Sequence, residues 1–128
     1  MKLGYLILYV HNVPATVAFY QRAFGLACRF RHESQYAEME TGGTALAFVN
    51  EDIVASSGVT FRRNRSADAA AGAEVGLVTD DVIAAFGTAI VAGAEAVLAP
   101  VKKPWGQIVS YVRDCNGVLV EICSAAGV

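Results

Sequence analysis

The chain is poor in the residues that most often carry metal or covalent chemistry. Its 128 residues include only two histidines, His11 and His32, and three cysteines, Cys28, Cys115 and Cys123. An odd number of widely spaced cysteines without a CxxC pair excludes a disulfide framework and a zinc ribbon; it suits reduced thiols in a cytoplasmic protein. Charged residues make up only 17% of the chain and the net charge is -2, so no basic surface draws it to nucleic acid or to an anionic membrane. No apolar run approaches the ~20 residues that span a bilayer. The opening Met1-Lys2-Leu3 leads into an alternating pattern without a cleavage-site signature, so no signal peptide is expected. What the chain has instead is apolar side chain, 55% of all residues. For one domain of this length that implies a large core plus apolar surface hidden in a cavity or a homodimer interface.

Periodicity gives the element order. Leu3 to Val10 is rich in β-branched and aromatic residues and predicts a strand. Asn12 is a good N-cap, Pro14 falls in the first helical turn, and Val13, Val17, Tyr20 and Phe24 form the stripe of an amphipathic helix that Gly25 can end. Short runs at 27–32, 35–40 and 44–49 predict three further strands, with Gly42-Gly43 turning the last pair. The order then repeats about 69 residues on. A strand is expected over 74–79, a cap at Asp80-Asp81, and a helix with Val82, Phe86, Ala89 and Gly93 at the spacings of the first stripe. Strands follow at 96–99, 107–112 and 118–123, the last two joined by Asn116-Gly117.

The chain therefore reads as one α+β domain of two βαβββ modules, about 3–54 and 74–124, forming a curved mixed sheet around a cavity. A linker covers about 55–73. It is rich in Ser, Gly and Ala and reads as a mobile loop, with Arg62, Arg63 and Arg65 as a solvated face or, for one of them, a contact to an anionic ligand. A four-stranded sheet with one helix covers only one of its faces, so the other is expected to line a pocket.

The segment GYLILYVHNVPATVAFYQRAFGL resembles the first strand–helix unit of the vicinal oxygen chelate superfamily, which includes glyoxalase I, extradiol dioxygenases and bleomycin-resistance proteins. The matching features are the cap at Asn12, the pair Phe19-Tyr20, and Phe24-Gly25-Leu26 closing the helix. The segment KPWGQIVSYVRDCNGVLVEIC resembles that family's last hairpin, with Pro104-Trp105-Gly106 before a strand, Asp114-Cys115-Asn116-Gly117 as the turn, and Val120-Glu121-Ile122 ending the sheet. The resemblance implies a fold that hosts lyases, oxygenases and binding proteins alike.

Metal-dependent members of that family place four ligands on the first and last strand of each module. The resemblance puts these at Tyr5, Ala47, Glu74 and Glu121. Neutral Tyr5 is a poor ligand for zinc, nickel or manganese, Ala47 has no donor, and neither His11 nor His32 stands at a ligand position. No cofactor is expected; a divalent metal, if bound, would rest on Glu74 and Glu121 alone. Strand alternation puts Tyr5, Ile7 and Tyr9 on one face, Glu74, Gly76 and Val78 on one, and Leu119, Glu121 and Cys123 on one. The expected ligand-binding set is Tyr5, Ile7, Tyr9, Ala47, Glu74, Trp105, Leu119 and Glu121. Trp105 is read as core, interface or a lid, and Phe48, Phe61 and Tyr111 as stacking candidates or ordinary packing. The leading reading is a small-molecule-binding, sequestering protein with a cationic or aromatic ligand. The alternatives are a glyoxalase-like metal-dependent lyase with a reduced ligand set, and an interaction dimer with a vestigial pocket.

Overall fold

Asn12 and Asp81 start the two long helices in the same way. Each is extended or near-extended in backbone, and each side-chain oxygen accepts the amide N–H three residues on, from Ala15 at 3.0 Å and from Ala84 at 3.1 Å. These bonds satisfy amides that have no partner inside a helix. The positions differ by 69 residues, the shift of the repeat. These features come from a computed structural model, which describes residues 1–126.

The chain divides into two compact units, Met1–Asn64 and Arg65–Val128. The first contains β1 (Tyr5–Val10), α1 (Val13–Phe24), β2 (Cys28–His32), β3 (Tyr36–Met39), β4 (Ala45–Asn50) and a short α2 (Glu51–Ser56). The second contains β5 (Glu74–Val78), α3 (Val82–Val91), β6 (Glu95–Lys102), β7 (Ile108–Arg113) and β8 (Leu119–Cys123). Each unit is a four-stranded mixed sheet, in the orders β1-β4-β3-β2 and β5-β8-β7-β6. In each, the first strand runs parallel to the last, and the remaining pairs are antiparallel. The fold is α+β with two βαβββ modules.

In the first unit, Leu8, Phe48 and Ala37 are neighbours across the sheet on the face that α1 covers. The Phe48 ring lies 4.8 Å from that of Tyr20 on α1, and both side chains are fully buried. Phe48 is thus core, the ordinary packing that the sequence reading allowed for it, and not a surface for ligand stacking. Truncating such a buried Phe to Ala typically costs about 3–5 kcal/mol. The opposite face carries Tyr5, Ile7 and Tyr9 beside Ala45, Ala47 and Val49, as the pairing register requires. In the second unit Val75, Val120 and Val112 form a buried row, with Ile122 and Ser110 beside it, and α3 packs on this sheet.

Three expectations change. The first strand begins at Tyr5, where Ala45 becomes its neighbour, rather than at Leu3. β6 runs through Pro100 to Lys102 instead of stopping at Ala99. It is an edge strand with two register irregularities, where a missing N–H interrupts no ladder. The linker is tied down: Arg63 pairs with Glu51 at 2.6 Å and Asp52 at 2.8 Å, and Asn64 donates to the Tyr9 carbonyl at 3.1 Å. Arg63 is therefore a structural cation rather than part of a solvated face.

Candidate functional site

In the second unit, parallel pairing of β5 with β8 sets Glu74 beside Leu119 and Gly76 beside Glu121. Glu74 and Glu121 are then diagonal neighbours on one face. Antiparallel pairing places Tyr111 of β7 directly beside Glu121, and its hydroxyl donates to Oε1 at 2.9 Å.

Two neighbouring carboxyls raise one another's tendency to hold a proton. Burial and the neighbouring Glu121 push the Glu74 pKa up. Burial also opposes ionisation of Glu121. The neighbouring Cys123, Tyr111, whose hydroxyl donates to it, and Glu74, with the charge of Lys103, outweigh it and push that pKa down. The two shifts run in opposite directions, so Glu74 holds its proton more readily than Glu121. The bond to Glu121, followed by burial, pushes the Tyr111 phenol up to about 12, so it stays a donor. Burial, then the bond to Glu121, raises the Cys123 thiol to about 11. A thiol so protonated is neither a nucleophile nor a ready metal ligand.

In the first unit, the ligand position expected on the last strand is Ala47, fully buried and without a donor. A carboxylate does stand one strand over. Glu38 of β3 lies directly beside Ala47, accepting from Tyr36 Oη at 2.8 Å and Arg29 Nε at 3.1 Å. Both bonds hold it to its own module. Burial and the bond to Glu38 raise the Tyr36 phenol to about 12. Tyr5 is half exposed near Tyr36. Ile7 and Tyr9 share its face, with Phe61 meeting Tyr9 edge-on at 4.7 Å.

Glu38 and Tyr36 were missed by the sequence reading. Alternation over 35–40 puts them on one face, but only the β3–β4 register sets that face beside Ala47. Leu119 is half-buried beside Glu74. Trp105 is 59% exposed in the Lys103–Gly106 turn, its indole N–H donating to Gln107 at 2.9 Å, so it is not core. His11 follows β1, 3.8 Å from Glu51, and His32 ends β2.

The donor set at the four ligand positions does not fit a catalytic divalent metal. One position is an alanine and one a phenol, which leaves two carboxyls, too few donors for such a site. Among the described residues, no three His, Cys, Asp or Glu side chains are grouped to hold a metal ion.

Solved structures share this architecture. A glyoxalase-related enzyme from Fulvimarina pelagi is 19% identical with a TM-score of 0.82, over 98% of this chain and 88% of that one. A glyoxalase/bleomycin resistance protein/dioxygenase family enzyme from Burkholderia phytofirmans PsJN is also 19% identical, with a TM-score of 0.79 over 97% and 98%. TioX from Micromonospora sp. ML1 is 23% identical, with a TM-score of 0.71 over 97% and 98%. At these identities the likeness speaks for the fold alone. No curated protein matches the sequence significantly. The family profile for the Glyoxalase/Bleomycin resistance protein/Dioxygenase superfamily matches residues 2–122. With that match over nearly the whole chain, and both modules folded as described, the chain belongs to the Glyoxalase/Bleomycin resistance protein/Dioxygenase superfamily.

Proposed function

We propose that this chain is a small-molecule-binding member of its superfamily, a cytoplasmic homodimer that captures a ligand carrying a cationic group instead of turning over substrate on a metal. The observation that carries this reading is Glu121, diagonal to Glu74 on one sheet face and accepting from the Tyr111 hydroxyl at 2.9 Å. A metal site needs its carboxylates free and ionised. Here the Glu121 carboxylate is already engaged by Tyr111, with Glu74 beside it. An approaching ammonium group meets a half-buried carboxylate that water screens poorly, and a hydroxyl group finds both a donor and an acceptor. Within the second unit, Leu119 beside Glu74 supplies apolar contact. Trp105, exposed in its turn, is a further contact for the ligand.

Titration of the purified protein with two organic cations, tetrabutylammonium and ethidium, tests this reading by calorimetry. Both should bind, and Glu121→Gln should weaken both by about 10-fold or more, the worth of a charge-assisted contact. Equal affinities in the wild type and Glu121→Gln would overturn the proposal. So would stoichiometric nickel, zinc, iron or manganese in protein purified without added metal.

A further inference from the structure

The last hairpin carries a reactive pair that the proposed capture of a cation does not use. Asn116-Gly117 is the only Asn-Gly step in the sequence. Glycine after asparagine puts no side chain in the way of succinimide formation. In that reaction the Gly nitrogen bonds to the Asn Cγ, the bond from Cγ to Nδ2 breaks, and ammonia leaves. Water then opens the ring to aspartate or isoaspartate, with no oxidant, cofactor or enzyme in the balance. Two things have to happen first. The Gly N–H must give up its proton, and the backbone between the two residues must swing until the nitrogen reaches Cγ.

The fold opposes both. The Gly117 N–H donates to the Asp114 carbonyl at 3.0 Å, so its proton is engaged. That bond, with no positive φ at Cys115 or Asn116, makes 114–117 a type I turn. Asp114, only 4% exposed, holds the turn from within: its Oδ1 accepts from the Asn116 amide at 2.8 Å and from the Val118 amide at 2.9 Å. Arg113 holds it from the other side. Its guanidinium donates to the Gly117 carbonyl at 2.9 Å and the Asp68 carbonyl at 2.6 Å, with the Arg65 and Ser66 carbonyls each at 3.3 Å. Nη2 lies 2.5 Å from where a Gly117 Cβ would stand. The 116–117 peptide has no room to swing while that guanidinium stays. All of these residues belong to the second unit.

We propose that Asn116 is a modification site kept shut by Arg113: with the guanidinium in place the Asn-Gly step stays intact, and its release lets the Gly117 nitrogen attack Asn116 Cγ with loss of ammonia. The isoaspartate product routes the chain through the former side chain and lengthens the backbone by one methylene. Gly117 is buried against Arg113 and Arg65, so the longer turn keeps the clamp from closing again. β8 begins just beyond, at Leu119, and carries Glu121, so the change loosens the strand that holds that carboxylate. The inference does not depend on what the chain binds.

The test follows residue 116 by peptide mapping, which separates Asn, Asp and isoaspartate, in protein held at mildly alkaline pH. Folded wild type should react at least about tenfold more slowly than the same protein unfolded in urea, the worth of one engaged backbone bond. Arg113→Met keeps the apolar stem; folded by circular dichroism, it should react about fivefold to tenfold faster than folded wild type. Arg113→Lys should fall between them, since an ammonium cannot fork to all the carbonyls that the guanidinium reaches. It decides the matter if Arg113→Met does not fold. Equal rates in folded and unfolded wild type overturn the inference. So does a folded Arg113 variant that reacts as slowly as wild type, or one that reacts at Asn12, Asn50 or Asn64 instead of Asn116. Each of these results leaves the capture of a cation standing.

Discussion

Gly117 shows how one residue is constrained from two sides. Its φ of +84° lies in the left-handed region, where a side chain is strained. A Cβ there would also stand 2.5 Å from Arg113 Nη2 and 2.6 Å from the Arg65 carbonyl oxygen. Arg113 cannot move aside cheaply. Its guanidinium donates to the carbonyls of Gly117, Arg65, Ser66 and Asp68, closing the start of the second unit over the last hairpin. Gly25 at the end of α1 shares the positive φ, at +67°, but has nothing within 4 Å of an added Cβ. Gly117→Ala should therefore destabilise the protein by about 2–4 kcal/mol, strain plus overpacking, and Gly25→Ala by only about 1 kcal/mol. Urea denaturation of the two variants checks this, and equal losses would show that the contact with Arg113 is worth nothing. The Asn-Gly turn was legible from its dipeptide. Its tight fit against Arg65 was not, because residues 65 and 117 are far apart in sequence.

At the level of elements, the helix starts were the most legible features. An N-cap is decided by a side chain and an amide three residues away, so the signal lies within one turn. Replacing Asn12 by Ala should cost about 1 kcal/mol, and Asp81 by Ala about the same, since the two caps are geometrically equivalent. Thermal unfolding measures both; a large inequality would mean that the two modules do not use their first helices alike. The short α2 was not legible. Six residues carry no amphipathic period, and its Asn50 cap follows a strand without the Gly or Pro that signals a break. The same short helix buries Glu51, so missing it also meant reading Arg63 as a solvated residue.

For the whole molecule, the apolar content foreseen from composition is visible as exposed side chain. Ile83 and Val91 on α3 are 70% and 90% exposed, and that helix carries no charged residue between Val82 and Val91. Val97, Leu98 and Val101 on β6 are each at least 40% exposed. Apolar surface on this scale favours association. Light scattering at micromolar concentration should give twice the monomer mass, and a monomer throughout that range would remove the homodimer from the proposed function.

Local and periodic information was enough to determine the order of the elements other than the short α2, the two caps, the glycine turns, and which residues alternate onto which face. Each depends on a period of 2 or 3.6 residues or on a hydrogen bond a few residues long. It was also enough to show that Tyr5 and Ala47 cannot serve as ordinary metal ligands, since that follows from side-chain chemistry. The tertiary structure decided the partners. Glu74 meets Glu121 because parallel pairing of β5 with β8 sets their diagonal, and Glu38 lies beside Ala47 because β3 pairs with β4 in one register. Arg63 finds Glu51, and Arg113 finds the carbonyls of 65–68, across loops that no periodicity describes. Burial makes these contacts consequential: a carboxylate or guanidinium taken out of water has to find its partner inside the fold, wherever in the chain that partner lies.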